Sequence, residues 1–181
     1  MNILKINKPI VLVGLMGSGK TTIGYRLALQ LGLPFFDSDK EIEKSACCSI
    51  SDIFYYAGEA YFRKIEHQTM KALLEKPEGK IIATGGGSYI NPDVKNLINE
   101  KGLSIWINAS LDVIVERVSR RNTRPLLEHG DKRQILQSLM EERYPVYAES
   151  HITISSDNKT HAETVKMIIN AINQYFGDEN Y

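Results

Sequence analysis

Apolar positions along the chain follow two rhythms that alternate. Short runs rich in apolar residues at Ile10 to Val13, Pro34 to Phe36, Lys80 to Thr84, Leu103 to Asn108 and His151 to Ile154 predict five strands. The stretches between them carry helical spacing instead. Ile23, Leu27 and Leu31 share one face of a helix that begins at Lys20. Val165, Ile168, Ile169, Ile172 and Phe176 form a one-sided stripe behind a Thr160 to Glu163 capping box, which predicts a terminal helix that docks on the sheet. Asn91-Pro92 and Ser110-Leu-Asp-Val supply two further helix starts. Strands alternating with helices predict an α/β fold: a parallel sheet flanked by helices on both faces, as three layers. With 181 residues, one domain spanning 1–181 is expected. Residues 38–77 are too long for a plain crossover, and their two or three helical pieces suggest a substrate-binding subdomain. Residues 119–132 lack apolar periodicity and read as a mobile insertion.

The first strand-to-helix junction contains the chain's most informative pattern. Gly14-Leu-Met-Gly-Ser-Gly-Lys20-Thr21 is a complete G-x-x-x-x-G-K-[ST] phosphate loop lying between an apolar run and a helical stretch. Glycines there let backbone N–H groups turn inward around phosphate oxygens, and the helix N-terminus adds its unpaired amides and positive dipole end. Lys20 reaches the β- and γ-phosphates in such a loop, and the Thr21 hydroxyl is a ligand for Mg²⁺.

Charge narrows the range of partners. Lys plus Arg and Asp plus Glu each total 22, and a neutral chain lacks the basic surface of a general nucleic-acid binder. The adjacent Cys47 and Cys48 have neither disulfide-framework nor zinc spacing, which suits a reducing cytoplasm. The N-terminal residues show no apolar leader and no stretch approaches a membrane span, so a soluble cytoplasmic protein without membrane partners is expected. The length suits a monomer.

Further chemistry is expected where the strands end, since ligands of open α/β sheets bind beyond the carboxyl edge. Asp37 and Asp39 close the second strand, and an i, i+2 pair in extended chain projects to one face. One could hold Mg²⁺ through water and the other accept a proton from an attacking hydroxyl; alternatively, Asp37 or Ser38 caps a helix starting near Lys40. Arg63 and Glu66 lie one turn apart beside an apolar helical face. Glu66 either aims Arg63 at the cleft or forms an exposed ion pair. Gly85-Gly86-Gly87 follows the third strand, where a ligand can approach bare backbone. Arg117, Arg120, Arg121 and Arg124 populate the insertion and its approach, as a lid over a triphosphate would require or as a solvated basic loop. Arg143 stands near the end of a helix from Lys132 to Tyr144, broken by Pro145. It either complements the helix C-terminus or grips a carboxylate in two-point fashion. The four histidines form no metal or nucleophile constellation.

Taken together, these motifs resemble the shikimate kinase family, small members of the nucleoside monophosphate kinase-like P-loop group. The resemblance rests on Gly14 to Thr21, Asp37-Ser-Asp39, Phe62-Arg63 with Glu66, Gly85 to Gly87, Arg124-Pro-Leu-Leu and Arg143-Tyr-Pro-Val-Tyr, in that order over nearly the whole chain. It implies a five-stranded parallel sheet in order 2-3-1-4-5 and transfer of the ATP γ-phosphoryl group to the 3-hydroxyl of shikimate. It places ATP on Gly17, Ser18, Gly19, Lys20, Thr21 and Thr22, and Mg²⁺ on Thr21 with Asp37 through water. Shikimate then lies between Asp39, Arg63, Gly85, Gly86, Gly87 and Arg143. Asp39, Lys20 and Arg124 are implied as catalytic, Arg124 as the lid arginine, with Arg117 or Arg120 against adenine. A gluconate kinase or another small-molecule kinase of the same fold is the alternative, and a non-catalytic nucleotide-binding module a more distant one.

Overall fold

The structure, a computed structural model, describes residues 6–120 and 131–178. Five strands, β1 (Ile10–Val13), β2 (Phe35–Asp37), β3 (Ile81–Ala83), β4 (Leu103–Asn108) and β5 (Ile152–Ser155), form one sheet in order β2-β3-β1-β4-β5, all neighbours parallel. The helices are α1 (Lys20–Leu31), α2 (Ser38–Ala46), α3 (Ile50–Glu75), α4 (Pro92–Lys101), α5 (Leu111–Ser119), α6 (Lys132–Tyr147) and α7 (His161–Asp178), with a 3₁₀ turn at Ser88–Ile90. The strand order is the one the resemblance implied.

β1 shows why the sheet is closed on both faces. All four of its residues are fully buried, and alternate side chains enter different cores. Ile10 and Leu12 join Ile23, Leu27, Ile105, Ile107 and Ile168 on one side. Val11 and Val13 join Ile82, Trp106, Tyr89, Leu136 and Tyr147 on the other. A third, smaller core of Ile42, Ile53 and Phe62 ties α2 to α3. Gly58, at φ 76°, breaks α3 into two helical pieces, so residues 38–77 do hold three helical segments.

Two boundaries differ from the sequence expectation. α2 starts at Ser38 because the Asp37 carboxylate accepts from the amides of Asp39 and Lys40, ending the strand two residues earlier than an extended Asp37-Asp39 pair requires. α6 continues through Pro145 to Tyr147. Proline removes one backbone donor there, but Tyr144 donates to the Ala109 carbonyl at 2.5 Å and Tyr147 is wholly buried, so tertiary contacts hold the last turn.

The contact of α1 with the sheet has no slack. A Cβ on Gly24 would lie 2.8 Å from Phe35 Cε2 and 3.1 Å from Leu12 Cδ1. Gly24→Ala, normally favourable in a helix, is therefore expected to destabilise by about 1–3 kcal/mol through overpacking, seen as a lower midpoint in thermal or urea unfolding. An unchanged or raised midpoint would show that Phe35 gives way freely.

Candidate active site

The parallel register sets the functional loops side by side. β1 lies between β3 and β4, so the phosphate loop after β1 meets the glycine turn after β3, while β2 delivers Asp37 and α2 from beyond β3. Thr84 closes the junction by donating its hydroxyl to the Leu12 carbonyl at 3.0 Å. At this carboxyl edge lies a cleft of about 1000 Å³. Gly17, Gly19, Lys20, Thr21, Thr22, Asp37, Asp39, Gly85, Gly86 and Arg117 all line it.

Lys20 is nearly buried, and its ammonium donates to the carbonyls of Gly14 and Leu15 at 2.8 and 2.9 Å. Gly17 has φ 81°, and a Cβ there would strike Val118, so the turn admits no side chain. Ser18 is buried beneath the loop rather than facing the cleft, and its carbonyl accepts from Arg117 Nη1 at 3.2 Å. Arg117 also reaches Ser156 after β5, tying the loop to the far edge of the sheet. Arg120 instead makes an exposed ion pair with Glu116. Arg121, Arg124 and most of the insertion expected at 119–132 lie outside the described residues.

Thr21 donates its hydroxyl to Asp37 Oδ2 at 2.9 Å, while Asp37 Oδ1 caps α2. These hard oxygen donors on the cleft wall fit Mg²⁺, which takes one or two protein oxygens and completes its shell with water and phosphate. Asp39, in the first turn of α2, comes to the same cleft although the chain is helical there. Burial above all, and then the neighbouring Asp37 carboxylate, lift its carboxyl from 3.8 to about 6 against the opposing pull of Lys20.

The glycine turn is confined by its neighbours. A Cβ on Gly85 would stand 2.5 Å from Asp39 Oδ1, and one on Gly87 would stand 3.3 Å from both terminal nitrogens of Arg63. The Gly85 amide donates to Ser38 Oγ at 3.2 Å. Arg63 donates to Glu66 at 2.8 Å and to Glu59 at 3.1 Å. Glu66 is buried, and its other oxygen accepts from Ser88 Oγ at 2.6 Å. Of the two sequence readings, the exposed ion pair is thus excluded: Glu66 braces Arg63 against the glycine turn. Arg143 is mostly buried on α6 beside Tyr147, whose hydroxyl donates to the Gly86 carbonyl. Arg63, Gly87 and Arg143 therefore flank the main cleft rather than line it.

Other wall residues carried no motif. Arg26, Lys159 and His161 add nitrogen-bearing side chains at the Arg117 end, with the His161 imidazole held below its usual range by burial and by Arg26 and Arg117. His161 is the first residue of α7, right after the capping-box threonine, and its position was the only available signal. Ser38 and Ser88 are adjacent to recognised motifs, but nothing in their spacing announced their partners.

The shikimate kinase family model matches residues 16–173, which is most of the chain. The chain belongs to the shikimate kinase family. A shikimate kinase of Bartonella quintana is 44% identical over 172 residues, covering 95% of this chain and 81% of that protein. The solved shikimate kinase from Acinetobacter baumannii in complex with shikimate superposes with a TM-score of 0.88 at 32% identity, covering 94% and 96% of the two chains. A gluconokinase from Sinorhizobium meliloti is similar at a TM-score of 0.58 and 16% identity over 98% and 99% of the two chains, a likeness of fold alone. Among the described residues no helix is long and apolar enough to cross a membrane.

Proposed function

We propose that this shikimate kinase family member transfers the γ-phosphoryl group of ATP to the 3-hydroxyl of shikimate, giving shikimate 3-phosphate and ADP. The observation that carries the reading is the shared cleft: Lys20 and Thr21 line it together with Asp39, Gly85 and Gly86. A cleft lined in this way can hold a phosphate donor and a hydroxyl acceptor together.

Each step falls to particular atoms. The loop amides of Gly17 to Thr22 bind the phosphates, and Lys20 exchanges its contacts with Gly14 and Leu15 for phosphate oxygens. Thr21 and Asp37 hold Mg²⁺, which when bound neutralises charge on the β- and γ-phosphates. Arg63, braced by Glu66 and Glu59, and Arg143 grip the shikimate carboxylate, while the backbone of Gly85 to Gly87 receives the ring. Asp39 accepts the proton of the 3-hydroxyl as its oxygen bonds to the γ-phosphorus and the bond from that phosphorus to the bridging oxygen of ADP breaks. Arg117, anchored to the loop and to Ser156, flanks adenine in preference to Arg120. Arg124, which the resemblance implies as the arginine acting on the phosphates, lies outside the described residues.

The α2–α3 unit with its own small core is the acceptor-binding part of a single kinase domain. A monomer in the cytoplasm completes the reading, supported by the chain length and by two free cysteines. ADP release, followed with coupled enzymes in the presence of Mg²⁺, is expected with shikimate and to be at background with gluconate or nucleoside monophosphates. Equal turnover of gluconate, or none with shikimate, would overturn the assignment.

A further inference from the structure

Tyr147 is wholly buried and stands one helical turn after Arg143 on α6. Its ring packs against Tyr89, Trp106 and Tyr144 at centroid distances of 6.5, 5.9 and 6.2 Å, which fixes where its hydroxyl can reach. That hydroxyl donates to the carbonyl of Gly86, 61 residues away in sequence. Burial raises the phenol well above its ordinary range, although Arg143 pulls the other way, so the group remains a donor at physiological pH.

We propose that Tyr147 is a positioning residue for the acceptor: it sets the Gly86–Gly87 peptide and couples that peptide to the helix carrying Arg143. The inference rests on the shikimate kinase reading above. The Gly86 carbonyl and the Gly87 amide belong to one planar unit, so orienting one orients the other. Among the described residues the Gly87 amide has no acceptor, and Gly87 lies against the Arg63 guanidinium. Donation into the carbonyl polarises the peptide and strengthens its amide as a donor, by roughly 10–30% in condensed-phase estimates. On the other side Gly86 faces the phosphate loop, where a Cβ on it would sit 3.2 Å from the Met16 amide nitrogen. The turn therefore lies between the phosphate loop and α6, with its hydrogen bond to α6 made by Tyr147. A buried tyrosine needs some acceptor; this one takes a carbonyl whose own peptide presents an unengaged N–H beside a substrate-gripping arginine.

Tyr147→Phe removes the hydroxyl and keeps the ring. Steady-state kinetics are expected to show the shikimate KM rising about five- to tenfold with the ATP KM and kcat within about twofold. In ¹H–¹⁵N spectra the Gly87 amide should move in the free variant. Tyr144→Phe, which removes the bond to the Ala109 carbonyl instead, should leave the shikimate KM within about twofold. An unchanged shikimate KM in Tyr147→Phe, a parallel rise in both KM values with a large fall in Tm, or an equal effect from Tyr144→Phe would each overturn the proposal. Should Tyr147→Phe not fold, the wild-type Gly87 amide provides the test. It should shift on addition of shikimate without nucleotide, and a stationary signal overturns the proposal. Wild-type enzyme that fails to turn over shikimate would reject the functional reading instead, so the two failures are distinct.

Discussion

Asp39→Asn is expected to lower kcat at least a hundredfold while leaving ATP affinity within about threefold, since positioned general bases contribute on the order of 10²–10⁴ to rate. The asparagine keeps the shape and still packs against Gly85 but cannot accept a proton. In the wild type the carboxyl is raised to about 6, near enough to neutrality to be ionised at working pH yet basic enough to take a hydroxyl proton. Below about pH 6 the wild-type kcat/KM for shikimate should fall as Asp39 protonates, and that acid limb should vanish from the residual activity of the variant. A rate near wild type in Asp39→Asn would dismiss Asp39 as the base.

The same shift gives a stability signature of opposite sign. A carboxyl whose folded-state value is raised favours the native state while protonated, in full below its unfolded value of 3.8, and that contribution is lost as pH rises through about 6. At pH 7 to 8 ionised Asp39 is thus a cost to the ligand-free fold. The shift bounds that cost at about 3 kcal/mol, and partial solvent access reduces it to about 1–2 kcal/mol. Ligand-free Asp39→Asn should accordingly melt a few degrees higher than wild type at pH 7.5 and no higher near pH 3.5. An inactive variant that is also more stable would mark this position as one where catalysis is maintained against folding.

Lys20→Ala is expected to weaken ATP binding tenfold or more and to cut kcat by a further hundredfold or more, because the ammonium stabilises charge both in the bound nucleotide and on the transferring group. Nucleotide titration calorimetry separates the first effect from the second. A third consequence follows from the local charges. Lys20 is the cation that opposes the rise of Asp39, so its loss should move the acid limb of the residual activity to higher pH. Unchanged nucleotide affinity and rate would refute the placement of Lys20 on the phosphates.

Contiguity decided what could be read from sequence. The phosphate loop is a site built from eight consecutive residues, so glycine spacing and flanking periodicity are sufficient to describe it. The strands followed from apolar runs to within a residue or so, and the sheet order came from family resemblance rather than from periodicity. Asp37 and Asp39 reach one cleft as anticipated, but by a different route. The strand ends at Asp37 because its carboxylate caps the next helix, and Asp39 is delivered by the first helical turn. Long-range partners had no pattern to betray them. Ser38 meets Gly85 across 47 residues, Arg117 meets Ser156 across 39, and Tyr147 meets Gly86 across 61. Each is an ordinary residue whose role comes only from parallel strands bringing distant loops together. Pro145 was misleading for a related reason, since local helix rules do not include the tertiary bonds of Tyr144 and Tyr147.

Asp37 has one oxygen on Thr21 and the other on the Asp39 amide. One short side chain thus ties the first turn of α1 to the head of the helix that carries Asp39. A substitution at Asp37 should therefore disturb both the phosphate-loop side of the cleft and the placement of Asp39, two effects that no other side chain in this pair of contacts joins.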